Sequence, residues 1–169
     1  MELETDIESP WPATVDWEAL ARRSAEALAA IVPELGNPRL VTSILFTGDS
    51  EIHALNREWR NKDKPTNVLS FPMIEQEELL ALAPTGPPVM LGDIALAHET
   101  CAREAGEKGV ALTDHATHLL IHGMLHLAGH DHEISANDAR IMEELEIKAL
   151  AQLGIADPYE VHTQPQGDE

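Results

Sequence analysis

Only one cysteine, Cys101, occurs in the 169 residues. An internal disulfide is therefore impossible, and no cysteine-based metal knuckle can be built. A lone thiol suits a reducing compartment. No stretch approaches the roughly 20 consecutive apolar residues that a bilayer-spanning helix requires, so no membrane association is expected. The first residues carry Glu2, Glu4, Asp6 and Glu8, without the basic start and apolar run of a secretory signal. A cytoplasmic protein is expected. Basic residues are also scarce: 11 Lys and Arg stand against 30 Asp and Glu, for a net charge of -19. Taken whole, that balance argues against nucleic acid, because phosphate binding draws on Lys and Arg. Their placement argues the other way. Arg57, Arg60, Lys62 and Lys64 lie within eight positions, with only two acids, Glu58 and Asp63, among them, which makes a short positive segment on a strongly negative body. Its plainer reading is a solvated helix end with the usual cations.

Apolar periodicity gives the elements. Leu3, Thr5 and Ile7 alternate with acids, the pattern of a half-buried strand. Asp16 to Ile31 reads as an amphipathic helix, stopped by Pro33 and Gly36. Arg39 to Thr47 is a strand rich in β-branched residues, and Asp49 or Ser50 caps a helix to about Trp59 with Ile52, Leu55 and Trp59 on one face. Thr66 to Phe71 reads as a strand, with Pro72 marking its end or a sheet edge. Residues 75 to 88 show no period and read as a mobile loop. Val89 to Ala97 is a strand and His98 to Lys108 a helix ended by Gly109. Thr113 caps a long helix through Ala128. Ser135 or Asn137 starts a last helix to Leu153. The fold class expected is α+β, with one small mixed sheet of about four strands covered by helices. Residues 1–156 are expected to form a single domain and 157–169 a polar, frayed tail.

Six of the nine histidines fall between His115 and His132. Residues at i and i+4 of a helix lie one turn apart on nearly the same face, so His122 and His126 can converge on one ion. His118 lies one turn earlier, about 12 Å along the axis from His126. Zinc–nitrogen bonds span only about 2 Å, so three histidines stacked on one straight helix cannot share a zinc. The third ligand must come from chain that has left the helix. Gly129 supplies the exit, as a left-handed residue ending the helix, after which His132 completes the spacing of a long zinc-peptidase signature. His130, two residues earlier, is the alternative third ligand. His118 and Asp131 are expected behind the ligands, orienting imidazoles, and His115 is expected at the surface. Three protein ligands leave a position open for chemistry, whereas structural zinc sites usually close with four. Peptidases with this spacing carry Glu directly after the first histidine as general base. Here that residue is Gly123, which disfavours a peptidase.

The run His122-Gly-Met-Leu-His126-Leu-Ala-Gly129-His-Asp131-His132 resembles that of the YbeY family of bacterial endoribonucleases. Two further blocks agree with the family: Leu55-Asn56 through Arg60, continuing as Lys62-Asp63-Lys64-Pro65-Thr66-Asn67-Val68-Leu69-Ser70-Phe71-Pro72, and Leu91-Gly92-Asp93-Ile94. Together they span most of the chain from about 40 to 155. His130 departs from the family, which often has Tyr there.

The resemblance implies one Zn2+ per chain on His122, His126 and His132, and a functionally needed arginine at Arg60. It implies cleavage of single-stranded RNA, maturation of the 3′ end of small-subunit (16S) ribosomal RNA and a part in ribosome quality control. The partners it implies are precursor rRNA and the small ribosomal subunit with its proteins. In that reading Arg60 grips phosphate oxygens with its planar fork of donors, while Arg57, Lys62 and Lys64 contact the RNA. Two other readings stand beside it: a non-catalytic, metal-stabilised ribosome assembly factor, and a metal-dependent hydrolase of another phosphoester or amide.

Overall fold

In the computed structural model, which describes residues 1–131 and 135–159, one four-stranded sheet carries helices on both faces. Strands β1 (Glu2–Ile7), β2 (Leu40–Thr47), β3 (Val68–Pro72) and β4 (Val89–Ala97) are ordered β1-β2-β4-β3. The pairs β1–β2 and β2–β4 are parallel, and β3 runs antiparallel to β4. The expected mixed sheet of four strands is therefore observed. Its edges are β1, which turns Glu2, Glu4 and Asp6 to solvent, and β3, which ends at Pro72. Acids and a proline are residues that discourage further strand pairing at an edge.

Leu40, Ile44 and Phe46 of β2 point into the main core, where they meet Ile94 and Leu96 of β4. That core is covered by helices α1 (Trp17–Ala29), α5 (Leu112–Leu127) and α6 (Ala136–Gln152). On the other face, α2 (Asp49–Arg60) lays Ile52 and Leu55 over Leu45, Leu69, Ala95 and Ala97. Trp59, expected on that same apolar face, is instead 67% exposed. Helix α4 (His98–Lys108) follows β4 directly and closes on Gly109 with φ +69°. Among the described residues no helix is long and apolar enough to cross a membrane.

Two corrections concern local signals. Residues 75–88, expected as a loop, contain the helix α3 (Gln76–Ala81). The Glu78 carboxylate accepts from the Glu75 backbone N–H at 3.3 Å, and Leu79 buries itself in the core. One buried leucine is too little to produce a readable period, so packing rather than pattern makes this helix. The second concerns the cap of α2. Its N-cap is Gly48, without a side-chain bond. Asp49 turns instead to α4, accepting from the Thr100 N–H at 3.1 Å, while Glu99 accepts from the Asp49 N–H at 2.9 Å. The two helix starts cap each other across the fold.

Strand β4 carries one extra residue against β2. Val41 pairs with Met90 and Thr42 with Gly92, leaving Leu91 between them, fully buried. Such a bulge re-aims the strand, and it brings Gly92 hard against its neighbours. A Cβ there would lie 2.4 Å from the Phe71 carbonyl oxygen and 2.7 Å from Leu127 Cδ2. Gly92→Ala should therefore cost about 1–3 kcal/mol, read as a lower urea midpoint with an unchanged slope; an unshifted midpoint would show that β3 and α5 yield freely.

Candidate metal centre and cleft

Helix α5 is apolar almost all round, as a helix enclosed by other elements must be. Ala116, Leu119, Leu120, Ile121, Met124, Leu125 and Leu127 are buried, and the helix touches β3, β4, α1, α4 and α6. At roughly 100° per residue, His115, His118, His122 and His126 fall on one stripe along it. A buried polar stripe needs partners, and carboxylates supply them.

His115 is 3% exposed, not at the surface as expected. Helix α4 packs over it and provides Glu104, whose Oε1 sits 2.8 Å from His115 Nε2 and also accepts from Asn67 Nδ2 at 3.0 Å. Burial pushes the His115 pKa down, and the pull of Glu104 in the other direction does not restore it. One turn on, His118 Nε2 lies 2.8 Å from Glu146 Oε1, and His122 Nδ1 lies 2.6 Å from Glu146 Oε2. Tyr159 also directs its hydroxyl to Glu146 Oε1. Residues 157–159, expected in the polar tail, thus include a side chain bonded to the buried Glu146.

Glu146 is the residue that sequence reasoning missed. It sits mid-helix on α6 in a chain with 30 acidic residues, and only its spacing from Met142, Ala149 and Leu150 marks an inward position. It is fully buried. Burial raises its pKa, but the hydrogen bonds from His118 and His122 and their charges outweigh that and hold it at about 2.

His122 and His126 stand side by side, with ring centroids 4.7 Å apart and planes at 79°. Just beyond them the helix stops as expected. Gly129 takes φ +100°, its N–H bonds to the His126 carbonyl, and the His130 N–H reaches back to the Leu125 carbonyl, both at 3.0 Å. That pair of bonds is the Schellman arrangement of a left-handed helix end. It sends the chain back to Asp131, which lines the same cleft as His122 and His126, whereas His130 does not. His132 lies outside the described residues, and among those described no group of three His, Cys, Asp or Glu side chains is placed to hold a metal. The donors that are described fit one nonetheless. Two imidazoles sit on successive turns, and one is backed by a carboxylate on its other nitrogen, the usual support of a metal-binding histidine.

The cleft, about 460 Å³, runs from these imidazoles to the end of α2. Arg60, Lys62 and Trp59 line its far side, and Asn67, Ser70 and Phe71 of the β3 segment its floor. The structure thus joins Arg60 and Lys62 to the histidine helix. Arg57 and Lys64 do not line this cleft. Arg57 is exposed, with its Nη1 3.7 Å from Asp63, and the Lys64 carbonyl accepts from Asn56 Nδ2 at 2.8 Å. Gly123, where a peptidase would hold its glutamate, is buried against β4, and a Cβ there would meet Ile94 Cδ1 at 3.2 Å. A carboxylate at 123 would point into the sheet.

Comparison with known proteins sets the class first: the matching relatives are bacterial endoribonucleases. A protein from Erythrobacter litoralis named Endoribonuclease YbeY is 61% identical over 159 residues, covering 94% of this chain and 98% of its own. One of the same name from Novosphingobium aromaticivorans is 58% identical over 160 residues, covering 94% and 96%. The solution structure of TM1509 from Thermotoga maritima superposes with a TM-score of 0.60 at 25% identity, covering 99% of this chain and 96% of that one. The family model described as Endoribonuclease YbeY matches residues 8–154, and the chain belongs to that family.

The low pKa of Glu146 has a consequence for acid stability. Its folded value of about 2 lies below the ordinary 4.5, so the stability it confers is complete above about pH 4.5 and is lost as pH falls towards 2, amounting to about 3 kcal/mol. Chemical denaturation of the metal-free protein across that range should show the loss, and Glu146→Gln should remove that part of the slope.

Proposed function

We propose that this chain is a zinc-dependent endoribonuclease that prefers single-stranded RNA. In this reading it acts in the cytoplasm in maturing the 3′ end of 16S rRNA and in ribosome quality control, with precursor rRNA and proteins of the small subunit as partners. The observation that carries the reading is the single cleft joining Arg60 and Lys62 to His122 and His126. It supplies cations for phosphate and imidazoles for a metal within one concavity, on a protein otherwise strongly acidic. Family membership supports the reaction class.

His122, His126 and His132 hold the metal in this proposal. Zinc, when bound, supplies Lewis acidity for the phosphodiester. The chain's own residues do the rest. Arg60 grips two non-bridging oxygens at once through its planar fork, fixing the scissile phosphate. Lys62 neutralises a neighbouring phosphate as a point charge. Trp59, at 67% exposure on the cleft wall, offers a ring on which an unpaired base stacks, an interaction open only to a strand that is not in a duplex. The buried Glu146 keeps the histidine helix oriented.

Alanine in place of His122, His126 or His132 should each lower bound zinc well below one per chain by elemental analysis; full occupancy in all three variants would remove the triad. Arg60→Ala should keep its zinc but lose cleavage of a single-stranded RNA, by about 100-fold if the arginine meets the charge that develops in the transition state. Its RNA affinity should also depend less steeply on salt, by about 0.7 in the log–log slope for one phosphate contact. Unchanged cleavage by this variant would rule out the phosphate grip.

A further inference from the structure

A fully buried carboxylate is costly unless its oxygens are satisfied. Glu146 occupies a position on α6 flanked by the buried Met142, Ala149 and Leu150, where a leucine or methionine would pack without that cost. What distinguishes the site is how its two oxygens are divided. Oε1 takes the donors that belong to the scaffold, His118 Nε2 at 2.8 Å and the Tyr159 hydroxyl, which are themselves 3.2 Å apart. Oε2 meets His122 Nδ1 at 2.6 Å. The scaffold donors come from α5 and from the segment after α6, so they fix the plane of the carboxylate from two directions. His118 and Tyr159 meet nearly edge to face, at 88° and 5.5 Å between centroids, which leaves the first oxygen little freedom. The second oxygen is thereby aimed at one nitrogen of one imidazole.

We propose that Glu146 is the positioning residue of the metal centre: pinned by His118 and Tyr159, it holds His122 as the Nδ1–H tautomer and so makes Nε2 the ligating nitrogen. The inference rests on the reading of His122 as a metal ligand. A neutral imidazole carries one proton. An acceptor on Nδ1 selects the tautomer with that proton on Nδ1, and the lone pair on Nε2 follows without any further contact. His118 cannot compete for the same ion. Its Nε2 is committed to Glu146, and its Nδ1 is buried with no hydrogen-bond partner among the described residues. Tyr159 ties this arrangement to the end of the described fold, so the metal centre depends on chain well beyond the histidine motif.

The test uses the full-length chain and the zinc ion. In metal-free wild type, nitrogen NMR should find His122 with its proton on Nδ1; a proton on Nε2 would overturn the proposal without any variant being needed. Glu146→Gln should raise the zinc dissociation constant, measured by chelator competition, by about 10- to 100-fold, and Tyr159→Phe should raise it less but in the same direction. A purely structural role would lower the melting temperature of both variants and leave zinc affinity of the folded fraction at the wild-type value, and that result would overturn the proposal. His122→Ala separates the two levels. If it keeps wild-type zinc affinity, the ligand reading falls and this inference with it; if it loses zinc while Glu146→Gln does not, only the positioning role is overturned.

Discussion

The structure turns on the need to bury a helix that carries a stripe of imidazoles. Helix α5 lies between the sheet and three other helices, and its apolar residues account for much of the main core. Imidazoles can be enclosed there only if each finds a partner, because an unpaired buried polar group costs a kilocalorie or more. The partners grade along the stripe. His115 meets Glu104 from α4, and His118 and His122 share Glu146 from α6. His126, near the end of the helix, opens onto the cleft. Burial falls along the same line, from a His115 side chain at 2% exposure to a His122 side chain at 22%. The inner histidines belong to the scaffold, and the outer ones stand where chemistry can reach them.

Much of this was legible in the sequence. Strand alternation in β1, the β-branched run of β2, the amphipathic period after Asp16 and the start signal at Ser135 are short-range signals, and each led to the observed element. So did Gly129, since a glycine directly after an apolar helix has few other uses. Signals that depend on packing were not legible. Helix α3 has a single buried leucine to announce it, and Trp59 continues the period of Ile52 and Leu55 although the helix end has already left the sheet. His115 reads as a surface histidine because the residue that buries it comes from another helix. Glu146 is hidden for the same reason: a carboxylate on an acidic helix carries no mark of its partners until the fold brings α5 and Tyr159 to it.

Charge shows a similar division between composition and place. A net charge of -19 describes the body, and the body should repel a polyanion. Arg60 and Lys62 nevertheless stand on the wall of a concave, partly walled space, where a local field outweighs a distant one once salt screens beyond about 10 Å. A substrate must therefore be recognised over a short range. This favours a strand end or loop that enters the cleft over a long duplex laid across the surface.

The turn at Gly129 leans on an unexpected neighbour. A Cβ at that position would come within 2.7 Å of Gln76 Cβ, on the first turn of α3. The short helix that looked like a loop is thus the backstop against which the chain reverses after His126. Drift in α3 would swing the direction in which His130 and Asp131 leave the helix, with every imidazole on α5 undisturbed. Insertions or sequence change between β3 and β4, far along the chain from His122 and His126, therefore bear on how the chain leaves α5.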